Sequence, residues 1–153
     1  MTISNKKAAK NQLDQINQLL RQSKSHWGYD EKFLDQYIKI MGINEAYLEK
    51  NTANSIYLHD ELIGFYSFTS QEDGSLELDK FFLHPSYIGQ GYGRHLWQAC
   101  CETAKALGKN EFTIWADFNA EAFYIKLGCI RIGSRESPIR PGVCPPVLKY
   151  KIL

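Results

Sequence analysis

Residues 88–94, IGQGYGR, join a stretch that reads as a strand to one that reads as a helix, and this junction constrains the fold more than any other segment. Upstream, SLELDKFFL (75–83) mixes branched, aromatic and charged residues without helical periodicity, as strands do, and His84–Pro85 ends it. Downstream, Leu96, Trp97, Cys100, Ala104 and Leu107 fall on one helical face over 91–107, with Gly108 as the stop. Glycines at 89, 91 and 93 remove Cβ atoms where the backbone turns, so successive N–H groups can converge on an anion at the positive end of that helix. From Phe81 through Cys101 there is no Asp or Glu, although the first turn of a helix favours them, and Arg94 stands there instead. A cation in that place makes sense when a bound phosphate supplies the negative charge. The spacing G-x-G-x-G matches neither the dinucleotide fingerprint nor the ATP-binding G-x-x-x-x-G-K-[ST] loop, so a nicotinamide or ATP fold is disfavoured.

The remaining elements follow from periodicity. Leu13, Ile16, Leu19 and Leu20 have helical spacing and predict a helix over about 6–25. Asp30 reads as the N-cap of a second helix carrying Phe33, Leu34, Tyr37, Ile38 and Met41 on one face, and a helical turn follows around Asn44–Lys50. From Ser55, SIYLHDELIGFYSFTS predicts two strands, the first ending near His59, joined by a turn at Asp60–Glu61. After the glycine loop and its helix come a strand at 111–116, a short helix over about 119–127, and strands at 129–136 and 147–152. The segment SPIRPGVCPP (137–146), with four prolines in ten residues, reads as an ordered surface loop. At 153 residues the chain suits one domain, 1–153, of the α/β class, with helices on both faces of a mixed, mostly antiparallel sheet.

Eighteen Lys and Arg against seventeen Asp and Glu leave a formal charge of +1, far from the basic excess of nucleic-acid binders. The N-terminal two dozen residues hold no signal-peptide core, and no run approaches the ~18 apolar residues of a spanning helix, so a cytoplasmic protein without a membrane partner is expected. Cys100, Cys101, Cys129 and Cys144 form neither a C-x-x-C pair nor an ordered spacing, which predicts reduced thiols and no metal site.

FFLHPSYIGQGYGRHLW resembles the acetyl-CoA-binding motif of the GNAT superfamily of N-acetyltransferases, [Q/R]-x-x-G-x-[G/A] between a strand and a helix. Asp117–Phe118–Asn119–Ala120, with Phe123–Tyr124 and Leu127–Gly128, resembles the second half of that signature, and the two stretches cover about 81–128. Two departures stand out. Ile88 occupies the place where Gln or Arg is usual, and Asp117 the place where Asn is commoner, with Asn119 five residues before the Tyr instead of seven.

The resemblance implies a pyrophosphate site on Gly89, Gln90, Gly91, Tyr92, Gly93 and Arg94. It also implies a pantetheine arm beside Phe81, Phe82 and Leu83, with a further contact from Asn119. The amide of Leu83 would stabilise the oxyanion, and Tyr124 would meet both the cofactor and the departing thiolate as a catalytic donor. An ammonium acceptor must lose a proton before it attacks. Strict alternation would put Glu77 and Asp79 on the face of Phe81 and Leu83 as candidate proton acceptors, with His84 beyond the strand end as a weaker one. The family's acceptor walls correspond to Ser25–Tyr29 and Ser137–Pro146, where Trp27 and Tyr29 could stack on a substrate and Arg140 could pair a carboxylate. The expected function is transfer of an acetyl group from acetyl-CoA to a small-molecule or amino-acid-like amine in a ternary complex, by a monomer or homodimer. A non-catalytic acyl-CoA sensor on the same fold is the alternative, and a nucleotide-binding regulator a third.

Overall fold

Residues 3–153, described here by a computed structural model, arrange seven strands and five α-helices along the chain. In order they are β1 (Ile3–Lys7), α1 (Leu13–Ser25), α2 (Glu31–Met41), α3 (Glu45–Lys50), β2 (Thr52–Leu58), β3 (Glu61–Ser70) and β4 (Leu76–Leu83). Then follow α4 (Tyr92–Ala106), β5 (Glu111–Trp115), α5 (Glu121–Lys126), β6 (Ile130–Ser134) and β7 (Pro146–Lys151). Among these residues no helix is long and apolar enough to cross a membrane.

The first element differs from the helix expected over 6–25, which begins only at Leu13. Ile3–Lys7 is an edge strand paired antiparallel with β2, from Ile3 opposite Leu58 to Lys7 opposite Asn54. Its polar sequence lacks the strand signal because it borrows its conformation from a neighbour, and Lys6 and Lys7 suit an edge facing solvent. The hairpin turn also moves by a residue. His59 and Asp60 take the positive φ values, 49° and 66°, leaving Leu58 and Glu61 paired across a two-residue loop. Asp30 caps α2 as expected, its side chain accepting from the Phe33 amide at 2.8 Å.

The sheet runs β1-β2-β3-β4-β5-β7-β6, antiparallel throughout except where β4 and β5 lie parallel. Both faces are covered. Phe65 and Tyr66 are adjacent and fully buried, yet Phe65 packs with Ile16, Leu20 and Tyr37 of α1 and α2, and Tyr66 with Leu96, Trp97 and Cys100 of α4. The pleat sends successive side chains into opposite layers, and each large side chain so buried contributes about 1.5–3 kcal/mol.

Two irregularities create the site. Ser67 pairs with Lys80 but Phe68 with Leu78, so Asp79 is the extra residue of a β-bulge in β4. The bulge reverses the alternation: Leu78 and Phe81 belong to the α4 layer, Phe82 to the α1–α2 layer. Glu77 and Asp79 therefore do not share a face with Phe81 and Leu83, contrary to strict alternation. The second irregularity is the short parallel pairing, limited to Glu77 with Thr113 and Leu78 with Ile114. Beyond those pairs β4 and β5 part, and a cavity opens between them.

Candidate active site

The cavity, about 510 Å³, begins at the N-terminus of α4. Gly89 and Gly91 hold φ values of 79° and 89°, the left-handed region that side-chain-bearing residues avoid. Gly91 is the N-cap and has no side chain to accept from the first turn, and no acid occupies that turn. A helix N-terminus of this kind, with its positive dipole end, suits an anion. Ile88, Gly89, Gly91, Gly93 and Arg94 line this end of the cavity. Gly93 has ordinary helical geometry and serves another purpose, since a Cβ there would stand 3.4 Å from the Phe123 ring. Gln90 and Tyr92 turn their side chains away. The Gln90 amide donates to the Ser86 carbonyl at 2.8 Å, and the Tyr92 ring packs into the core beside Tyr87.

Deeper in, Phe81, Phe82 and Leu83 form one wall and Ala116, Asp117 and Asn119 the other. His84 donates its backbone N–H to Ile63 at 2.7 Å, so ladder alternation turns the N–H groups of Phe81 and Leu83 to the opposite edge, toward the opening. The Leu83 carbonyl on that edge accepts from Ser23 Oγ of α1 at 2.7 Å. Tyr124 lines the same wall, 5% exposed, its ring packed on Phe81, Trp97 and Phe123. Burial pushes its phenol well above the usual value, helped by Cys100, Cys129 and Asp117, so it reaches neutral pH fully protonated.

Asp117 ties the two halves together. Its Oδ2 accepts from Lys24 Nζ of α1 at 2.7 Å and from the Tyr29 hydroxyl at 2.8 Å; its Oδ1 accepts from the Asn119 backbone and side chain, each at 2.8 Å. Burial alone would raise this carboxyl, but the Lys24 charge and these hydrogen bonds hold it below the ordinary carboxylate value. Tyr29 is pushed up to about 12, by burial first and by Asp117 second. Lys24 and Ser23 carried no sequence signal of a site role, because both sit in the polar-apolar rhythm of an ordinary helix.

The candidate proton acceptors separate clearly. Glu77 is 6% exposed, lies outside the cavity lining and pairs with Arg135 at 3.0 Å, whose guanidinium stacks 5.0 Å from the Trp115 ring centre. His84 is also outside the lining and uses Nδ1 to accept from the Ser86 amide at 3.1 Å, capping the turn that follows β4. Asp79 lines the cavity.

The far end is aromatic. Trp27, Tyr29, Phe33 and Tyr37 line it with the proline-rich loop, and Tyr29 stacks on Phe33 with centroids 4.2 Å apart. Arg140 lies over both rings, 4.5 Å from Phe33 and 5.2 Å from Tyr29, and its loop is held by Ser137 Oγ accepting from the Ile139 and Arg140 amides. Cys100, Cys101, Cys129 and Cys144 are free thiols, and only Cys144 is exposed.

A family model described as the acetyltransferase (GNAT) family matches residues 13–129. Solved structures share the fold across nearly the whole chain. The PaiA N-acetyltransferase of Thermoplasma acidophilum in complex with coenzyme A superposes with a TM-score of 0.76 at 19% identity, covering 99% of each chain. An aminoglycoside 6'-N-acetyltransferase complexed with coenzyme A gives 0.67 at 19% identity, covering 100% of this chain and 98% of that one. The ribosomal-protein-S18-alanine N-acetyltransferase of Escherichia coli gives 0.69 at 13% identity, covering 99% and 94%. Identities this low speak for the fold alone, and the two acceptors that these names print, an aminoglycoside and a protein alanine, have little chemistry in common.

Proposed function

The chain belongs to the GNAT acetyltransferase family, and from that premise we propose that it transfers the acetyl group of acetyl-CoA to the primary amine of a small-molecule or amino-acid-like acceptor, by direct attack in a ternary complex. One observation carries the reading: a single cavity runs from the uncapped N-terminus of α4, through the opening between β4 and β5, to an aromatic chamber. Such a cavity suits a long ligand with a diphosphate at one end and a reactive group at the other. The coenzyme A carried by two fold neighbours supports this fit. Acetyl-CoA supplies the activated thioester.

Residues of the chain do the rest. An alkylammonium acceptor has a pKa near ~10.4 and must shed a proton before its nitrogen can attack. Asp79, the strand carboxylate that lines the cavity, takes that proton directly or through water and passes it to solvent. The Leu83 N–H then faces the carbonyl oxygen as negative charge builds on it. After the C–N bond forms, the nitrogen still carries an extra proton. Tyr124 gives its own proton to the sulfur as the C–S bond breaks, and recovers one from the nitrogen through cavity water. Asn119 lies where a pantetheine amide would pass, and Trp27, Tyr29 and Arg140 wall the acceptor chamber.

The test is thiol release from acetyl-CoA in the presence of L-phenylalanine, L-lysine, phenethylamine or spermidine. We expect free coenzyme A and the N-acetylated product with at least one of these. Tyr124→Phe is expected to lower kcat by about 10²-fold or more, with the acetyl-CoA KM within about twofold. An unchanged kcat removes Tyr124 from the mechanism. Acetyl-CoA binding without thiol release from any amine turns the reading to a non-catalytic sensor.

A further inference from the structure

We infer that Tyr47, on α3, is a positioning residue for acetyl transfer: it pins one oxygen of the Asp79 carboxylate so that the other faces the acceptor amine. The inference rests on the reading of Asp79 as the proton acceptor. The Tyr47 hydroxyl donates to Asp79 Oδ2, and Lys80 Nζ stands 3.2 Å from that same oxygen. Oδ1 takes no hydrogen bond from any described residue, and Asp79 lines the cavity with its side chain 21% exposed. Two donors on one oxygen fix the plane of the carboxylate and leave the lone pairs of the second oxygen for an incoming proton.

Two further hydrogen bonds brace Tyr47. Asn44 caps α3 by accepting from the Tyr47 amide at 2.8 Å, fixing where that residue enters. Because the Tyr47 hydroxyl gives its proton to Asp79, the Ser67 hydroxyl 2.6 Å away donates to Tyr47, and Ser67 is fully buried on β3. Lys80, also buried, lies 5.9 Å from the Tyr47 ring. The charged and titratable groups facing Asp79 are thus Tyr47 from α3, Tyr37 from α2 and Lys80 from its own strand. Glu77, two residues upstream, is engaged with Arg135. Burial, then the Asp79 charge, hold both tyrosines far above the ordinary phenol value, so neither titrates in an assay near neutrality. Neither phenol therefore sets an acidic limb of the rate profile.

Tyr47→Phe removes the hydroxyl and little else. Its kcat–pH profile, measured with acetyl-CoA and the panel amine turned over fastest, is expected to show kcat lowered about tenfold. The acidic limb should move up by roughly 0.5–1 pH unit, because a carboxylate that loses a donor binds its proton more tightly, while the acetyl-CoA KM stays within about twofold. Ser67→Ala keeps Tyr47 but removes the group that orients its proton, and should move the limb less and in the same direction. A role confined to folding predicts lower melting temperatures with the limb unmoved in both variants, and that result overturns the inference. Asp79→Asn separates the two readings. If it abolishes turnover while Tyr47→Phe and Ser67→Ala leave the profile as in wild type, only the Tyr47 role fails; if it retains wild-type kcat, the Asp79 reading fails and the Tyr47 role with it.

Discussion

Asp117 is the residue that welds the site into one unit. It sits just past the end of β5, and its partners come from α1 and from the turn between α1 and α2, so one carboxylate holds the aromatic chamber against the cleft between β4 and β5. Its side chain and that of Lys24 are only 11% and 14% exposed, so solvent screens the pair weakly. Asp117→Asn keeps the shape and removes the charge, leaving Lys24 largely buried without a counter-charge. We expect a loss of about 1–3 kcal/mol in urea unfolding at neutral pH. Because the folded carboxyl is held below its unfolded value, its contribution is complete above about pH 4 and is lost as the pH falls through the lowered folded value. The stability gap between wild type and variant should therefore stay constant down to that point and close below it; a gap that persists undiminished well below it would contradict the ion pair. Tyr124 and Asp79 could be proposed from the sequence because each lies within a recognisable segment. Lys24, Ser23 and Tyr47 could not, since each acts on a residue at least 32 positions away.

At the level of elements, the glycine loop is the feature most fully written in the local sequence. Its left-handed residues need glycine for reasons internal to the backbone, so the residue type itself reports the conformation. Gly91→Ala should cost about 1–2 kcal/mol of stability through its φ of 89°, although nothing lies within 4 Å of a Cβ at that position. Straining the cap also disturbs the amides it presents, and calorimetric titration should show coenzyme A binding weakened by about five- to tenfold. Equal affinity in the variant would mean that the diphosphate sits elsewhere. The opposite case is β1, whose residues ISNKK carry no strand pattern of their own and become a strand only by pairing with β2. The β4 bulge is likewise silent in sequence. Alternation along 75–83 looks unbroken, and only the register against β3 places the extra residue at Asp79.

For the whole molecule, the governing fact is that β4 and β5 meet for two residue pairs and then separate, with α4 beginning at the mouth of the gap. A ligand filling that gap couples to folding by mass action, which at a hundredfold excess over Kd amounts to about 2.7 kcal/mol. Coenzyme A at that excess should raise the melting temperature by roughly 5–10 °C in a thermal-shift measurement. It should exceed any shift from ATP or NAD, which a nucleotide-binding regulator would reverse. Local chemistry written along the chain settled the α/β class, the helix faces and the left-handed glycine loop before α4, because propensity, periodicity and glycine geometry are properties of neighbouring residues. The edge strand, the bulge that parts Asp79 from Phe81, the withdrawal of Glu77 into an ion pair and the Asp117 clasp were decided by the tertiary structure alone. Each depends on strand register or on a contact between distant segments, and those are determined by packing energies summed over the folded chain.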